Sequence, residues 1–441
     1  MSFVLKGGRI IDPSTNQDFV GDLWVENGSI RALDSTINAD SHIKIYDVKG
    51  MIVCPGFIDL HCHLREPGGE EKETIATGTA SAAKGGFTTV CAMPNTNPTI
   101  DTTDLVSFVI QKGLTDGVVR VLPIASVTKG RAGLTITDME DLSKAGAVAF
   151  SDDGSPVSDR NLMLEACLTS IRTRTPIINH CECTELSGSG VMNEGLVSRH
   201  LGLSGWPNQA EESMVARDIM IAEETQGHIH LAHISTEKSV ELIRSAKERG
   251  VSITAEATPH HLTLTDELAY STDPSKMLYN TYAKVNPPLR TRKDVDSLVR
   301  GLSDDTIDCI ATDHAPHTGR DKSGSFEDAA FGISVLETAL GSVMSLTNDH
   351  NVSIAKIIEK LTYGPAKILG THNIQMPSLQ PGSIADITIF DPNEKWTVDT
   401  EDFISKGKNT PLKNRQLQGR VVATFVGGNL VFRRGESSIA Q

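Results

Sequence analysis

The sequence predicts a (β/α)₈ TIM barrel with a small all-β satellite domain formed by both chain ends, and three observations carry that reading. Through the middle of the chain, short apolar, β-branched runs alternate with helical stretches, the pattern of a parallel sheet with crossover helices. At both ends, short strands alternate with turns instead. The length, 441 residues, suits one barrel of about 250 residues or more with an addition.

In chain order, the N-terminal strands are expected in Gly8-Arg-Ile-Ile-Asp-Pro, Asp22-Leu-Trp-Val-Glu-Asn-Gly and Ile43-Lys-Ile-Tyr-Asp. The same texture returns in Ala385-Asp-Ile-Thr-Ile-Phe-Asp and in the run from Val421 to Phe432, so the two ends are expected to share one sheet. The predicted division is satellite over 1–54 and 371–441, barrel over 55–370. Barrel strands are expected at Phe57–Leu60, Thr88–Met93, Val118–Ile124, Val148–Ser151, Pro176–Asn179, His228–Ala232, Val251–Glu256 and Ile307–Ala311. Helical periodicity fills the intervals, as in Ala210–Ala222 and in the run from Glu237 that Gly250 ends.

With 41 Lys+Arg against 56 Asp+Glu the formal charge is −15, and no run of five or six basic residues offers a footprint for nucleic acid. A small-molecule partner is expected. The N-terminus lacks a charged region followed by a long apolar core, and no stretch has the length of a membrane span, so a soluble cytoplasmic protein with no membrane partner is expected. The seven cysteines (54, 62, 91, 167, 181, 183, 309) are odd in number and scattered, which reads as reduced, buried thiols. Cys181 and Cys183 lie beside a His, yet metal ligation there is the lesser reading.

Barrel active sites lie at the C-terminal ends of the strands, and that is where the His and Asp residues fall. Strand one ends in Asp59-Leu-His-Cys-His, strand four in Ser151-Asp-Asp-Gly, strand five in Asn179-His, strand six in Ala232-His and strand eight in Thr312-Asp-His. His61 and His63 are two residues apart and project to one side of an extended strand, although such a pair is as commonly structural. In His228-Ile-His-Leu-Ala-His233, parity expects His233 at the mouth and His228 and His230 toward the helices. His61, His63, His180 and His233 with carboxylates from strands four and eight exceed what one four-coordinate zinc takes and suit a pair of ions. Zinc is expected, with manganese or cobalt as the other options. Two ions about 3.5 to 4 Å apart would turn a bridging water into hydroxide near neutral pH and polarise a carbonyl, which suits amide hydrolysis. Asp313 is the expected general base and acid; the plainer reading of an Asp there is a helix N-cap. Parity leaves Asp152 and Asp153 equal as the strand-four ligand.

Pro55-Gly-Phe-Ile-Asp-Leu-His-Cys-His-Leu-Arg-Glu-Pro-Gly, Met93-Pro-Asn-Thr, Phe150-Ser-Asp-Asp-Gly, Thr258-Pro-His-His-Leu, Asn286-Pro-Pro-Leu-Arg and Ala311-Thr-Asp-His-Ala-Pro-His closely resemble class I dihydroorotases, in order over nearly the whole chain. The resemblance implies a two-zinc enzyme of pyrimidine biosynthesis that interconverts N-carbamoyl-L-aspartate and (S)-dihydroorotate. It implies that His61, His63 and Asp313 hold one ion, His180 and His233 the other, and that Asp153 bridges them where many relatives use a carboxylated lysine. It further implies substrate contacts from His63, Arg65, Asn95, Asn286 and His317, with the backbone at Phe331-Gly332 supporting the ring. Arg65 carries a planar fork suited to a carboxylate; its plainer reading is an ion pair with Glu66 or Glu70. His260 and His261 are expected to be structural.

Two departures stand out. Family members usually read Ala-Pro-Phe-Gly where this chain has Ala329-Ala-Phe-Gly, and Asp-Gly-Thr where Asp305 precedes Thr306, so a looser loop near Phe331 and an altered turn are expected. The polar segment Thr318–Ser325 is expected to be mobile without substrate. Rival readings are a hydantoinase, dihydropyrimidinase or allantoinase, which Arg65 and Asp153 disfavour, and an inactive homologue serving as structural partner of aspartate transcarbamoylase, which six retained ligands disfavour. A homodimer and an active complex with aspartate transcarbamoylase are the protein partners considered.

Overall fold

The structure, a computed structural model, describes residues 2–270 and 279–435; residue 1 and residues 436–441 of the expected satellite lie outside the described residues. All eight expected barrel strands form, at Phe57–Cys62, Phe87–Ala92, Arg120–Ala125, Ala149–Phe150, Ile177–Asn179, Ile229–Leu231, Ile253–Ala257 and Cys309–Ile310. They lie side by side in chain order, each neighbouring pair parallel. The ring is drawn shut by a parallel bridge between Cys62 and His314, where the His63 N–H donates to the His314 carbonyl at 2.9 Å.

Strands buried on both faces are apolar at nearly every position, and the two faces separate cleanly here. Phe150, Ile177, Ile229, Leu231 and Ala255 join the large core under the helices. Ile58, Leu60, Cys91, Ile124, Ala149, Ile178 and Cys309 form a separate cluster inside the barrel. The crossover helices start at caps the sequence supplies: Thr74, Thr102, Asp159 and Thr236 each accept a backbone N–H of the first turn.

The satellite sheet interleaves both ends of the chain. Its path runs from Asn429–Arg433 through Gln416–Val426 and Ile387–Thr397 to Ile52–Pro55, then Ser2–Asp12, Gln17–Glu26 and Ser29–Asp34, with Lys44–Asp47 pairing Ser2–Asp12. Ile387 and Phe390 pair antiparallel with Pro55 and Ile52, so the strand that leads into the barrel is held by one that follows it. Phe3 stacks on Phe425 with ring centroids 4.8 Å apart, and the buried Asp12 carboxylate accepts from the Leu379 N–H at 2.7 Å. No helix among the described residues is long and apolar enough to cross a membrane.

Candidate active site

The barrel mouth is organised first by a buried carboxylate that is not itself aimed at it. Asp59 accepts from the Thr312 N–H (2.8 Å), the Thr312 hydroxyl (2.5 Å) and the His61 N–H (3.2 Å). It therefore fastens the end of strand one to the segment after strand eight. Strand one shifts register against strand two between Asp59 and Cys62, and from this irregular end both His61 and His63 reach the centre.

Asp153 lies among four imidazoles. Its Oδ1 is 3.2 Å from His61 Nε2, 3.5 Å from His180 Nδ1 and 3.5 Å from His233 Nε2, and its Oδ2 is 3.6 Å from His63 Nε2. Asp313 Oδ1 faces the same rings, 3.0 Å from His63 Nε2 and 3.6 Å from His61 Nε2. Asp152, which parity could not separate from Asp153, turns the other way: its carboxylate accepts the Thr128 N–H at 3.1 Å and the Thr128 hydroxyl.

One expectation is corrected. His230 lies between the outward-packed Ile229 and Leu231 and points into the barrel, its Nδ1 at 2.8 Å from Thr254 Oγ1 and its Nε2 at 3.1 Å from Glu256 Oε2; His228 shares the Thr254 hydroxyl at 2.7 Å. Parity fails because the strand stops at Leu231 and His233 adopts φ 32°, so alternation does not extend to it.

His61, His63, Asp153, His180, His233 and Asp313 are each at most 5% exposed, yet among the described residues His61 Nε2 and Asp153 Oδ1 have no hydrogen-bond partner; 3.2 Å apart, they face each other without alignment. Buried, unpaired nitrogen and oxygen lone pairs aimed at one point fit a cation. His61, His63 and Asp313 can offer one ligand atom each within 4.8 Å of one another, and so can His61, Asp153 and His233. This donor set suits divalent metal. Burial alone would raise the Asp313 carboxyl, but the hydrogen bond from His63 and the nearby His61 hold it well below the ordinary carboxylate value.

Comparison with known proteins places the chain in a family. A family model described as dihydro-orotase-like matches residues 50–239. A dihydroorotase from Thermoanaerobacter sp. (strain X514) is 48% identical over 435 residues, covering 98% of each chain. One from Aquifex aeolicus (strain VF5) is 45% identical over 433 residues, 98% of this chain and 100% of that one. The chain belongs to the dihydroorotase family. Among solved structures, L-hydantoinase from Arthrobacter aurescens superposes with a TM-score of 0.87 at 24% identity, over 99% of this chain and 97% of that one, which shows the shared fold.

Around the cluster, the other expected dihydroorotase residues fall into place unevenly. Arg65, at φ 60°, bonds the Pro316 carbonyl through Nε at 3.3 Å and faces His317 Nε2 from Nη2 at 3.4 Å. It does not pair with Glu66, which accepts the Ile75 N–H, nor with Glu70, which accepts the Gly68 N–H. Asn95 gives its carbonyl to His63 Nδ1 at 2.8 Å. Asn286 donates to Glu182 Oε2 at 3.1 Å, and the same oxygen is 2.9 Å from His180 Nε2. Gly332 donates its N–H to the Lys284 carbonyl at 3.0 Å, and a Cβ there would meet Ala315 Oand His317 Cδ2 at 2.8 and 3.0 Å, so only glycine fits beside that ring. Phe331 stands edge-on to Trp206, with centroids 5.8 Å apart.

Sequence reasoning missed Glu182 and Glu256. Glu182 has the parity of His180, and Glu256 is a charged residue inside an apolar strand, so both carried a signal. His261 is structural, as its bonds to Thr258 Oγ1 (2.8 Å) and the Pro287 carbonyl (2.9 Å) show. His260 is as buried, but neither of its ring nitrogens has a partner among the described residues.

Both departures from the family pattern have local compensation. The Ala330 N–H donates to the Asp321 carbonyl at 2.8 Å, a bond proline could not make. Asp305 takes the left-handed conformation natural to glycine, φ 65°, and pairs with Lys356 and Lys360 at 2.9 and 2.8 Å.

Proposed function

We propose that this chain interconverts N-carbamoyl-L-aspartate and (S)-dihydroorotate, opening and closing a six-membered cyclic amide in pyrimidine biosynthesis. The observation that carries the reading is Asp153, within 3.6 Å of imidazole nitrogens from strands one, five and six, with Asp313 opposite and, at the rim, Arg65, which forms no ion pair among the described residues. His61, His63 and Asp313 would hold one zinc ion, His180 and His233 a second, with Asp153 between. Bound there, two divalent ions supply Lewis-acid polarisation of an amide carbonyl and a nucleophile usable at neutral pH.

The protein's own groups do the rest. Arg65, Asn95 and His317 hold the carboxylate, Asn286 and the Phe331-Gly332 backbone seat the ring, and His63 completes the wall. Asp313, kept ionised by His63 and His61, takes a proton from the attacking water and passes it to the ring nitrogen as the C–N bond breaks. In the reverse direction the same carboxylate takes the ureido proton and water leaves. We also propose residues 55–370 as the barrel unit and 1–54 with 371–441 as the satellite, supported by the pairing of strand Ile52–Pro55 with Ile387–Thr397.

The test is turnover of dihydroorotate beside dihydrouracil, hydantoin and allantoin by the zinc-loaded protein, with Asp313→Asn as control. Activity confined to dihydroorotate and lost in the variant is expected. Activity on a neutral ring would move the assignment to hydantoinase chemistry, and none with metal bound would favour a structural partner of aspartate transcarbamoylase.

A further inference from the structure

Arg131 is a second guanidinium at this mouth, and nothing in the sequence motifs marks it. It lies in the loop after strand three, in a single turn over Lys129–Arg131, and adopts φ 55°. That loop is fixed to the strand-four turn by Asp152, which takes the Thr128 N–H and hydroxyl, while the Thr128 oxygen accepts the Gly133 N–H at 2.9 Å. A non-glycine residue held at positive φ by its surroundings marks a position the fold over-determines.

The guanidinium is half-buried, and its only side-chain hydrogen bond among the described residues runs from Nη2 to Ser155 Oγ at 2.9 Å. Its Nε is buried without a partner among the described residues. Next to it, Gly154 at φ +75° leaves an opening: a Cβ there would lie 3.6 Å from Arg131 Nη2 and 3.9 Å from Asn95 Nδ2. Asn95 has its carbonyl on His63, so its amide donors are the end that faces this space. Neither Arg65 nor Arg131 forms a salt bridge among the described residues; at longer range Asp313, Asp153 and Asp321 favour the Arg65 charge and Asp153 and Asp152 that of Arg131, while Arg65 also feels Arg131 as a like charge. Burial is the main cost to both cations, and an anion bound at the mouth would offset part of it.

We infer that Arg131 is a substrate-contacting residue that, with the Asn95 amide, frames a donor pocket over Gly154 for a carboxylate of the acidic substrate. The inference rests on the proposed function for the identity of that acid; the convergence of donors stands apart from it. With Arg65 on the other side, the mouth selects an acidic ring and its open-chain diacid over neutral cyclic amides. A charge-assisted hydrogen bond of this kind changes binding roughly ten- to hundredfold.

Arg131→Gln and Arg131→Lys test it in the zinc-loaded protein. The glutamine variant is expected to lose roughly ten- to hundredfold in kcat/KM for both dihydroorotate and N-carbamoyl-L-aspartate, mainly through KM. The equilibrium constant fixes the ratio of the two directions, so equal losses are an internal control. Zinc retention against a chelator is expected to stay unchanged, and lysine to recover part of the loss. A KM within about twofold of wild type overturns the inference, as does zinc loosened in proportion to the lost activity, which would make Arg131 a support for the Asp152-Asp153 turn. Calorimetric titration with succinate, a dicarboxylate that cannot turn over, reads the pocket without chemistry. Weaker binding by Arg131→Gln supports the pocket even if wild type turns over neither acid, a result that would sink the proposed function alone; equal affinity, or none in wild type, overturns the pocket.

Discussion

Glu256 and His61 are joined by a 2.7 Å hydrogen bond between Oε1 and Nδ1, and both are fully buried. The other oxygen, Oε2, meets His230 Nε2 at 3.1 Å, and His230 Nδ1 meets the Thr254 hydroxyl at 2.8 Å. Burial would raise the Glu256 carboxyl, but His61 and His230 draw it down to about 2. It is thus an acceptor, which places the His61 proton on Nδ1 and leaves the Nε2 lone pair aimed at Asp153 and Asp313. The Glu256 Oε1 also accepts the His233 N–H at 3.3 Å, so one carboxylate orients candidate ligands from strands one and six.

Removing that carboxylate is expected to loosen metal more than it disturbs the fold. Glu256→Gln keeps the shape but can accept from only one of the two rings and must turn its NH2 toward the other, and a loss of about ten- to hundredfold in metal affinity is expected. Competition with a chromophoric chelator reads it, beside thermal unfolding of the metal-free protein. Wild-type metal affinity in the variant would remove Glu256 from the centre's support.

Lys322 sits in the segment that composition marks as mobile, yet it is 2% exposed. Its ammonium donates to the carbonyls of Lys284 (3.1 Å), Ala330 (2.7 Å) and Gly332 (3.1 Å), tying the loop after His317 to the glycine beside that ring. Burial, with the nearby Lys284, pushes its pKa down to about 7 from the usual 10.5. Between those values the unfolded chain holds a proton that the folded chain has released, so this group adds stability as pH rises from about 7 toward 10. Thermal unfolding of wild type and Lys322→Met at pH 6.5, 8 and 9.5 is expected to show a gap that widens in favour of wild type with pH. A gap that stays constant would mean the ammonium keeps its charge in the fold.

The barrel was legible because its signals repeat: eight apolar runs, and ligand-type residues at the ends of five of them. The candidate centre was legible for the same reason, since strand ends share one face of a barrel whatever their order in the chain. What stayed hidden is set by loops and strand ends. The inward aim of His230 stayed hidden because a positive φ at His233 ends the alternation, Asp153 is separated from Asp152 by a Thr128 contact 24 residues upstream, and Arg131 is brought in by a turn that no periodicity marks. The burial of Lys322 stayed hidden because a lysine among glycines and serines carries no signal of it, and only the fold shows three carbonyls converging on the ammonium.

Asp305 occupies a turn that family members usually give to glycine, and the structure holds it at φ 65°. Left-handed backbone costs an alanine roughly 1 kcal/mol more than glycine. Asp305 offsets this strain with its bonds to Lys356 and to the buried Lys360. Wild type is therefore expected to unfold above Asp305→Gly, which loses the ion pairs, and Asp305→Gly above Asp305→Ala, which loses them and keeps the strain. Urea midpoints measured together give the order; equal midpoints for the two variants would show that the turn is not left-handed.

In the proposed site, Arg65 is the residue at which fold and specificity meet. Its guanidinium touches the Pro316 carbonyl and His317 and is free of ion pairs among the described residues, so a carboxylate can approach its planar edge with two donors. Lysine at this position keeps the charge and tolerates the same site but offers a point donor in place of the fork. Arg65→Lys is expected to raise KM for dihydroorotate at least about tenfold, with zinc affinity unchanged, because Arg65 touches none of the six candidate ligands within hydrogen-bonding distance. Steady-state kinetics beside a chelator competition separates the two effects. Unchanged KM would take Arg65 out of the substrate's reach, and loosened zinc would instead make it part of the scaffold that sets the Asp313 loop.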